Sequence, residues 1–124
     1  MRRFNTGWRD GQYSLPAGHL DGEETVTQGV IREIKEESGV TVEPKDVDMV
    51  HAMHRVSELN ESIDFFFVIK NWQGEPRLAE PDKSDQVLWV LPQHLPENTV
   101  GYISYFFKEF AAGRKFSEYG WSDE

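Results

Sequence analysis

The stretch from Gly18 to Val40 constrains this chain more than any other. Apolar residues at Val26, Val30, Ile31 and Ile34 recur at helical spacing. Thr25, followed three residues on by Gln28, fits a capping box and predicts a helix start there. Gly39 is the natural stop, because glycine adopts the left-handed C-cap conformation without a steric cost. At about 100° per residue, Glu33, Glu36 and Glu37 fall within one arc of roughly 100°. That arc borders the apolar stripe, and Glu37 projects almost in line with Val26 and Val30. These carboxylates are therefore expected at the edge of the buried face and not in open solvent.

Such an arrangement is locally unfavourable. Like charges four residues apart repel by a few tenths of a kcal/mol. Anions in the last helical turn also oppose the macrodipole, at roughly 0.3–1 kcal/mol each. Arg32 reaches Glu36 but cannot neutralise three acids. A local rule broken in this way marks a functional site, and hard oxygen ligands on a rigid element suit Mg²⁺ or Mn²⁺. Taken by itself, an acidic run is more often a solvated helix face.

The run does not stand by itself. From Gly18 the chain fits Gly-x5-Glu-x7-Arg-Glu-U-x-Glu-Glu-x-Gly-U, where U is a bulky aliphatic residue. Gly18, Glu24, Arg32, Glu33, Ile34, Glu36, Glu37, Gly39 and Val40 fill every constrained position. A chance match is on the order of one in a hundred million per window. The pattern resembles the signature of the Nudix hydrolases, the family of MutT-like nucleotide pyrophosphatases.

The resemblance implies a single α/β domain over residues 1–124, a Nudix-type α/β/α sandwich with a mixed sheet. It implies hydrolysis of a nucleoside diphosphate linked to another group, foremost a nucleoside triphosphate giving monophosphate and pyrophosphate. It implies Glu33, Glu36 and Glu37 as metal ligands, helped by the Gly18 carbonyl, with Mg²⁺ or Mn²⁺ as cofactor. Arg32 is expected to orient Glu33 or Glu36, and Glu24 to brace the loop or a metal-bound water. Arg2, Arg3 and His19 are candidate substrate contacts. In the loop after Trp72, Glu80 best matches the family's general base, with Asp82, Asp85 and Asp64 as weaker candidates. Trp89 is expected to pack. ADP-ribose, sugar nucleotides or capped RNA ends are alternative substrates, and a non-catalytic nucleotide-binding module is a third reading.

One departure stands out. Nudix domains usually carry one or two strands before the stretch matching Arg2-Arg3-Phe4, and here the N-terminal strands are short or missing. An unfilled sheet edge is an association hazard, which predicts a homodimer or strand exchange.

Composition narrows the classes. The 124 residues suffice for one domain with a core. A net charge of −9 argues against a DNA-binding surface and would repel a phosphate substrate unless cations intervene. No apolar run is long enough to span a membrane. With no cysteine, thiolate chemistry and disulfides are excluded and a cytoplasmic address is the default.

Along the rest of the chain, strands are predicted at Tyr13–Leu15, Val40–Val42, Val47–Val56, Ile63–Trp72 and Val87–Val90. Phe65-Phe66-Phe67-Val68-Ile69 reads as a buried central strand. His51 and His54, three apart, point to opposite strand faces and make a poor ligand pair. A final helix runs through Ala112 with Asn98 as its expected N-cap. The tail from Arg114 to Glu124 has no predicted place.

Overall fold

The computed structural model describes residues 1–3, 11–15, 20–57, 60–81, 84–86 and 93–121. Its elements are β1 (Arg2–Arg3), α1 (Val26–Ser38), β2 (Val47–Val56), β3 (Glu61–Ile69), β4 (Ser84–Gln86), α2 (Gly101–Ala111) and β5 (Phe116–Tyr119), with one 3-10 turn at Pro44–Asp46 before β2. The predicted Val87–Val90 strand lies outside the described residues.

α1 begins and ends where its caps dictate. Thr25 Oγ1 accepts from the Gln28 N–H at 3.1 Å, and Gln28 Oε1 accepts from the Thr25 N–H at 2.8 Å. Two otherwise orphaned donors are thereby satisfied. Gly39 closes the helix at φ 80°.

The larger sheet is mixed, with order β3-β2-β5. β2 and β3 form an antiparallel hairpin with a bulge between Met49 and His51. β5 runs parallel to β2, pairing Ala52 with Phe116 and Arg55 with Tyr119. The tail with no predicted place is therefore a strand of this sheet. Trp121 continues the contact: its Nε1 donates to the His54 carbonyl at 3.3 Å and its ring packs on the His54 ring. A smaller antiparallel pair joins β1 to β4.

α2 covers one face of the larger sheet. Met53, Phe66, Val100, Ile103 and Phe106 form the core cluster, with Phe66 and Phe106 stacked at 4.0 Å. His51 is fully buried there, edge-on to both phenylalanines. Its Nδ1 meets the Arg114 carbonyl at 2.9 Å and its Nε2 meets Ser117 Oγ at 2.7 Å. It thus ties β2 to the segment carrying β5, while His54 faces the other way toward Trp121, as the spacing predicts.

Three expectations are corrected. β3 is buried on one face only: Phe66 is buried, but Phe65 and Ile63 on the face away from α2 stay about half exposed at 50% and 51%, and among the described strands β3 stands at the end of the order. Asn98 is not the cap of α2. Its carbonyl is drawn into pairing with the Tyr13 N–H and its side chain donates to the Gly11 carbonyl at 2.9 Å, so Val100 takes the cap position. The short strands predicted at Tyr13 and Thr41 reduce to single bridges, from Tyr13 to Arg2 and Thr99 and from Thr41 to Gln73.

Candidate active site

Arg32 stands at the centre of the acidic face of α1. Its Nη1 donates to Glu33 Oε1 at 2.7 Å and lies 3.3 Å from Glu36 Oε2. Its Nη2 donates to Glu24 Oε1 at 2.8 Å, and its Nε approaches Asp21 Oδ2 at 3.3 Å. The preceding loop is folded onto the helix by the same carboxylate, because Glu24 Oε1 also accepts from the Asp21 N–H at 2.9 Å. The planar fork of an arginine suits this use, since a lysine cannot serve several carboxylates in fixed directions. The charge-assisted bond from Arg32 holds the Glu24 carboxyl below the usual range, and Glu24 and Glu33 in turn raise the Arg32 pKa.

The three glutamates of the motif differ in setting. The Glu33 side chain is 20% exposed and that of Glu36 is 49% exposed. Glu37 is half-buried, and its Oε2 is shut off from solvent. The Met1 α-amino group, donating to the Ser14 carbonyl at 2.7 Å, lies within reach of the Glu37 charge. Burial lowers its pKa, and Glu37 acts in the opposite direction.

The C-terminal end of α1 is built into a second segment. Four carbonyls at a helix end lack intrahelical partners. Here Ile34 O accepts from Ser38 Oγ at 2.7 Å and Lys35 O accepts from the Gly39 N–H at 3.0 Å. Glu37 O accepts from the Ala79 N–H at 3.2 Å, and Ser38 O accepts from the Arg77 N–H at 3.0 Å. Thr41 and Gln73 exchange a pair of bonds, each 2.9 Å. The loop that carries Glu80 is thus hydrogen-bonded by its backbone to the residue range that carries Glu37. Glu80 is half-buried and follows directly on Ala79.

The predicted site residues divide accordingly. Arg32, Glu33 and Glu36 come together with Glu24 and Asp21, and Glu37 and Glu80 sit on segments joined by hydrogen bonds. Gly18, His19, Asp82 and Trp89 lie outside the described residues, as does the side chain of Asp85. Arg2 and Arg3 are half-buried in β1, where the backbone pairs with Gln86 and Ser84. Asp64 is committed elsewhere: Arg55 Nε donates to its Oδ2 at 2.6 Å while the guanidinium lies 3.9 Å over the Tyr102 ring. Sequence reasoning passed over Asp21 and the docking of residues 73–79. The signal for the latter was the pair of orphan carbonyls that any helix ending at Gly39 must satisfy.

At least four carboxylates, Asp21, Glu24, Glu33 and Glu36, surround one guanidinium, so negative charge exceeds positive. Hard oxygen donors in charge excess, beside a carboxylate oxygen removed from solvent, fit a divalent cation in chemistry. Among the described residues no three His, Asp or Glu side chains are gathered closely enough to hold one, because these carboxylates fan around Arg32. No helix among the described residues is long and apolar enough to cross a membrane.

Comparison with known proteins agrees with this architecture. No curated protein sequence matches the chain significantly. Among solved structures, a MutT NUDIX hydrolase from Burkholderia pseudomallei superposes with a TM-score of 0.77 at 24% identity, covering 86% of this chain and 82% of that one. That likeness concerns the fold. The sequence model of the NUDIX domain matches residues 1–110. With the motif helix, its acidic face and most of its length matched, the chain belongs to the NUDIX domain family, the Nudix hydrolases.

Proposed function

We propose that this chain hydrolyses the diphosphate linkage of a nucleoside triphosphate, giving monophosphate and pyrophosphate, with Mg²⁺ or Mn²⁺ as cofactor. The whole chain acts as one domain, and a cytoplasmic address belongs to the same reading. The observation that carries it is the excess of carboxylates around Arg32, from α1 and from the loop before it, with the Glu80 loop hydrogen-bonded to the end of that helix.

Glu33, Glu36 and Glu37, whose side chains are not gathered into one cluster here, would draw together to hold the cation, with the Gly18 carbonyl as a further ligand. When bound, it offsets phosphate charge and makes water a better nucleophile. Arg32 fixes the directions of Glu33 and Glu36. Glu24 takes Nη2 of Arg32 while Glu33 takes Nη1, so the guanidinium is held at two of its nitrogens. A water oxygen forms a new bond to one phosphorus of the bridge as its bridging P–O bond breaks, and the group on the other phosphorus leaves with the bridging oxygen. The proton released by water passes to Glu80 or to a helix glutamate.

The test is pyrophosphate and phosphate release across common and oxidised nucleoside triphosphates, ADP-ribose, sugar nucleotides and dinucleoside polyphosphates, each with Mg²⁺, Mn²⁺ or EDTA. Metal-dependent pyrophosphate release from a triphosphate is expected. Release confined to ADP-ribose, sugar nucleotides or dinucleotides replaces the substrate assignment. No turnover by folded protein favours a nucleotide-binding module.

A further inference from the structure

We propose that Arg77 is a positioning residue that holds the 73–81 loop on the C-terminal end of α1 and so sets where Glu80 stands. This inference rests on the reading of Glu80 as general base.

The guanidinium of Arg77 occupies the space that a side chain at position 39 would fill. A Cβ on Gly39 would lie 2.6 Å from Arg77 Nη1 and 2.7 Å from its Cζ. Gly39 is already required by its φ of 80°. Its lack of a Cβ also leaves the room in which the guanidinium lies. The end of a helix carries partial negative charge, and a cation there is favoured. Lys35 serves the same end from the other side, with Nζ 3.3 Å from Gly39 O and 3.1 Å from Thr41 Oγ1. The backbone of Arg77 completes the clasp: its N–H donates to Ser38 O, and two residues later the Ala79 N–H donates to Glu37 O.

The loop needs this help. Gln73, Gly74, Glu75 and Arg77 are exposed and Pro76, Leu78 and Ala79 are only half-buried, so no fully buried apolar side chain holds residues 73–80 down. Its register on α1 depends on a few backbone bonds and on the cation that lies against the same helix end. Glu80 is the next residue after the last of those bonds. A general base acts only within hydrogen-bond reach of its proton, and a displacement of about 1 Å can cost on the order of a hundredfold in rate.

The experiment has two independent readouts. The first is amide hydrogen exchange in the substrate-free protein. Arg77→Ala is expected to speed exchange at the Arg77 and Ala79 amides while the amides of α1 keep their protection. Unchanged protection of those two amides overturns the proposal. The second is a double-mutant cycle on kcat, with the fastest substrate of the nucleotide panel. R77A is expected to lower kcat about tenfold with KM within about twofold. In the E80Q background the same change should cost less than about twofold, because a displaced base that is already disabled costs nothing more. R77K should recover most of the lost kcat by restoring the cation. An equal R77A factor in both backgrounds, or an R77A enzyme at full speed, overturns the proposal while leaving Glu80 in place. An E80Q enzyme as fast as the parent overturns the reading of Glu80 itself, and the exchange data then stand alone as evidence of a structural clasp.

Discussion

Arg32 Nη1 donates to Glu33 Oε1 at 2.7 Å, tying together two consecutive residues of one helix. Adjacent residues on a helix normally diverge by about 100°, so this bond needs an arginine that folds back along the surface. Arg32→Lys keeps the charge and loses the fork. Turnover of R32K is expected to fall about 10–100-fold, the range seen when a residue that orients a metal ligand is lost. Steady-state kinetics at saturating Mg²⁺ checks this, and parental kcat in R32K would contradict it.

The same network sets an acid limit on stability. The bond from Arg32 holds the Glu24 carboxyl below its ordinary range, so the folded chain binds that proton less tightly than the unfolded chain. The contribution is present above about pH 4.3, the unperturbed glutamate value, and is lost as pH falls through the folded-state pKa. Glu24→Gln should lower Tm at neutral and alkaline pH and shrink its fall on the acid side, so that the two profiles converge at low pH. Equal acid-side falls in the two proteins would refute it.

The core is small and makes a separate prediction. Phe106 stacks on Phe66 and borders His51, so Phe106→Ala leaves a cavity that the sheet cannot close. A loss of about 3–5 kcal/mol is expected. Urea unfolding should show a lower midpoint with an unchanged slope.

β5 is expected to protect the edge of β2. Deleting residues 116–124 removes the strand paired with Ala52 to Arg55 and leaves His51 Nε2 without Ser117. An exposed edge recruits other chains. The shortened protein should melt earlier and associate with rising concentration, as read by light scattering after size exclusion. A monomer with the parental Tm would show that β5 does not protect that edge.

How much was legible in the sequence follows from the range of the interactions involved. α1 was readable at both ends because Thr25, Gln28 and Gly39 act within one turn of the helix. The 47–56 strand was readable from its composition and bounding turns. Two features rested on distant contacts and were not. β5 gains its register from β2, more than sixty residues away in sequence, and nothing local in Phe116–Tyr119 announces it. Phe65 looked central because the run is apolar, yet its exposure depends on which strands flank β3 and on α2 covering only the opposite face. At the site, the motif spacing identified the carboxylates. It could not show that Glu24, Glu33 and Glu36 would converge, together with Asp21, on a single arginine. Nor could it show that the Glu80 loop would cap the helix that bears Glu37.

On the proposed function, the carboxylates of α1 hold a divalent cation that hydrolysis requires. The most direct measurement is pyrophosphate release by the parent and by Glu37→Gln, with Mg²⁺ and with EDTA, alongside the Tm of each protein. The expected result is release that EDTA abolishes, a loss in E37Q beyond the roughly hundredfold typical of a supporting residue, and an unchanged Tm. Turnover that survives EDTA, or an E37Q enzyme at parental speed, would contradict it.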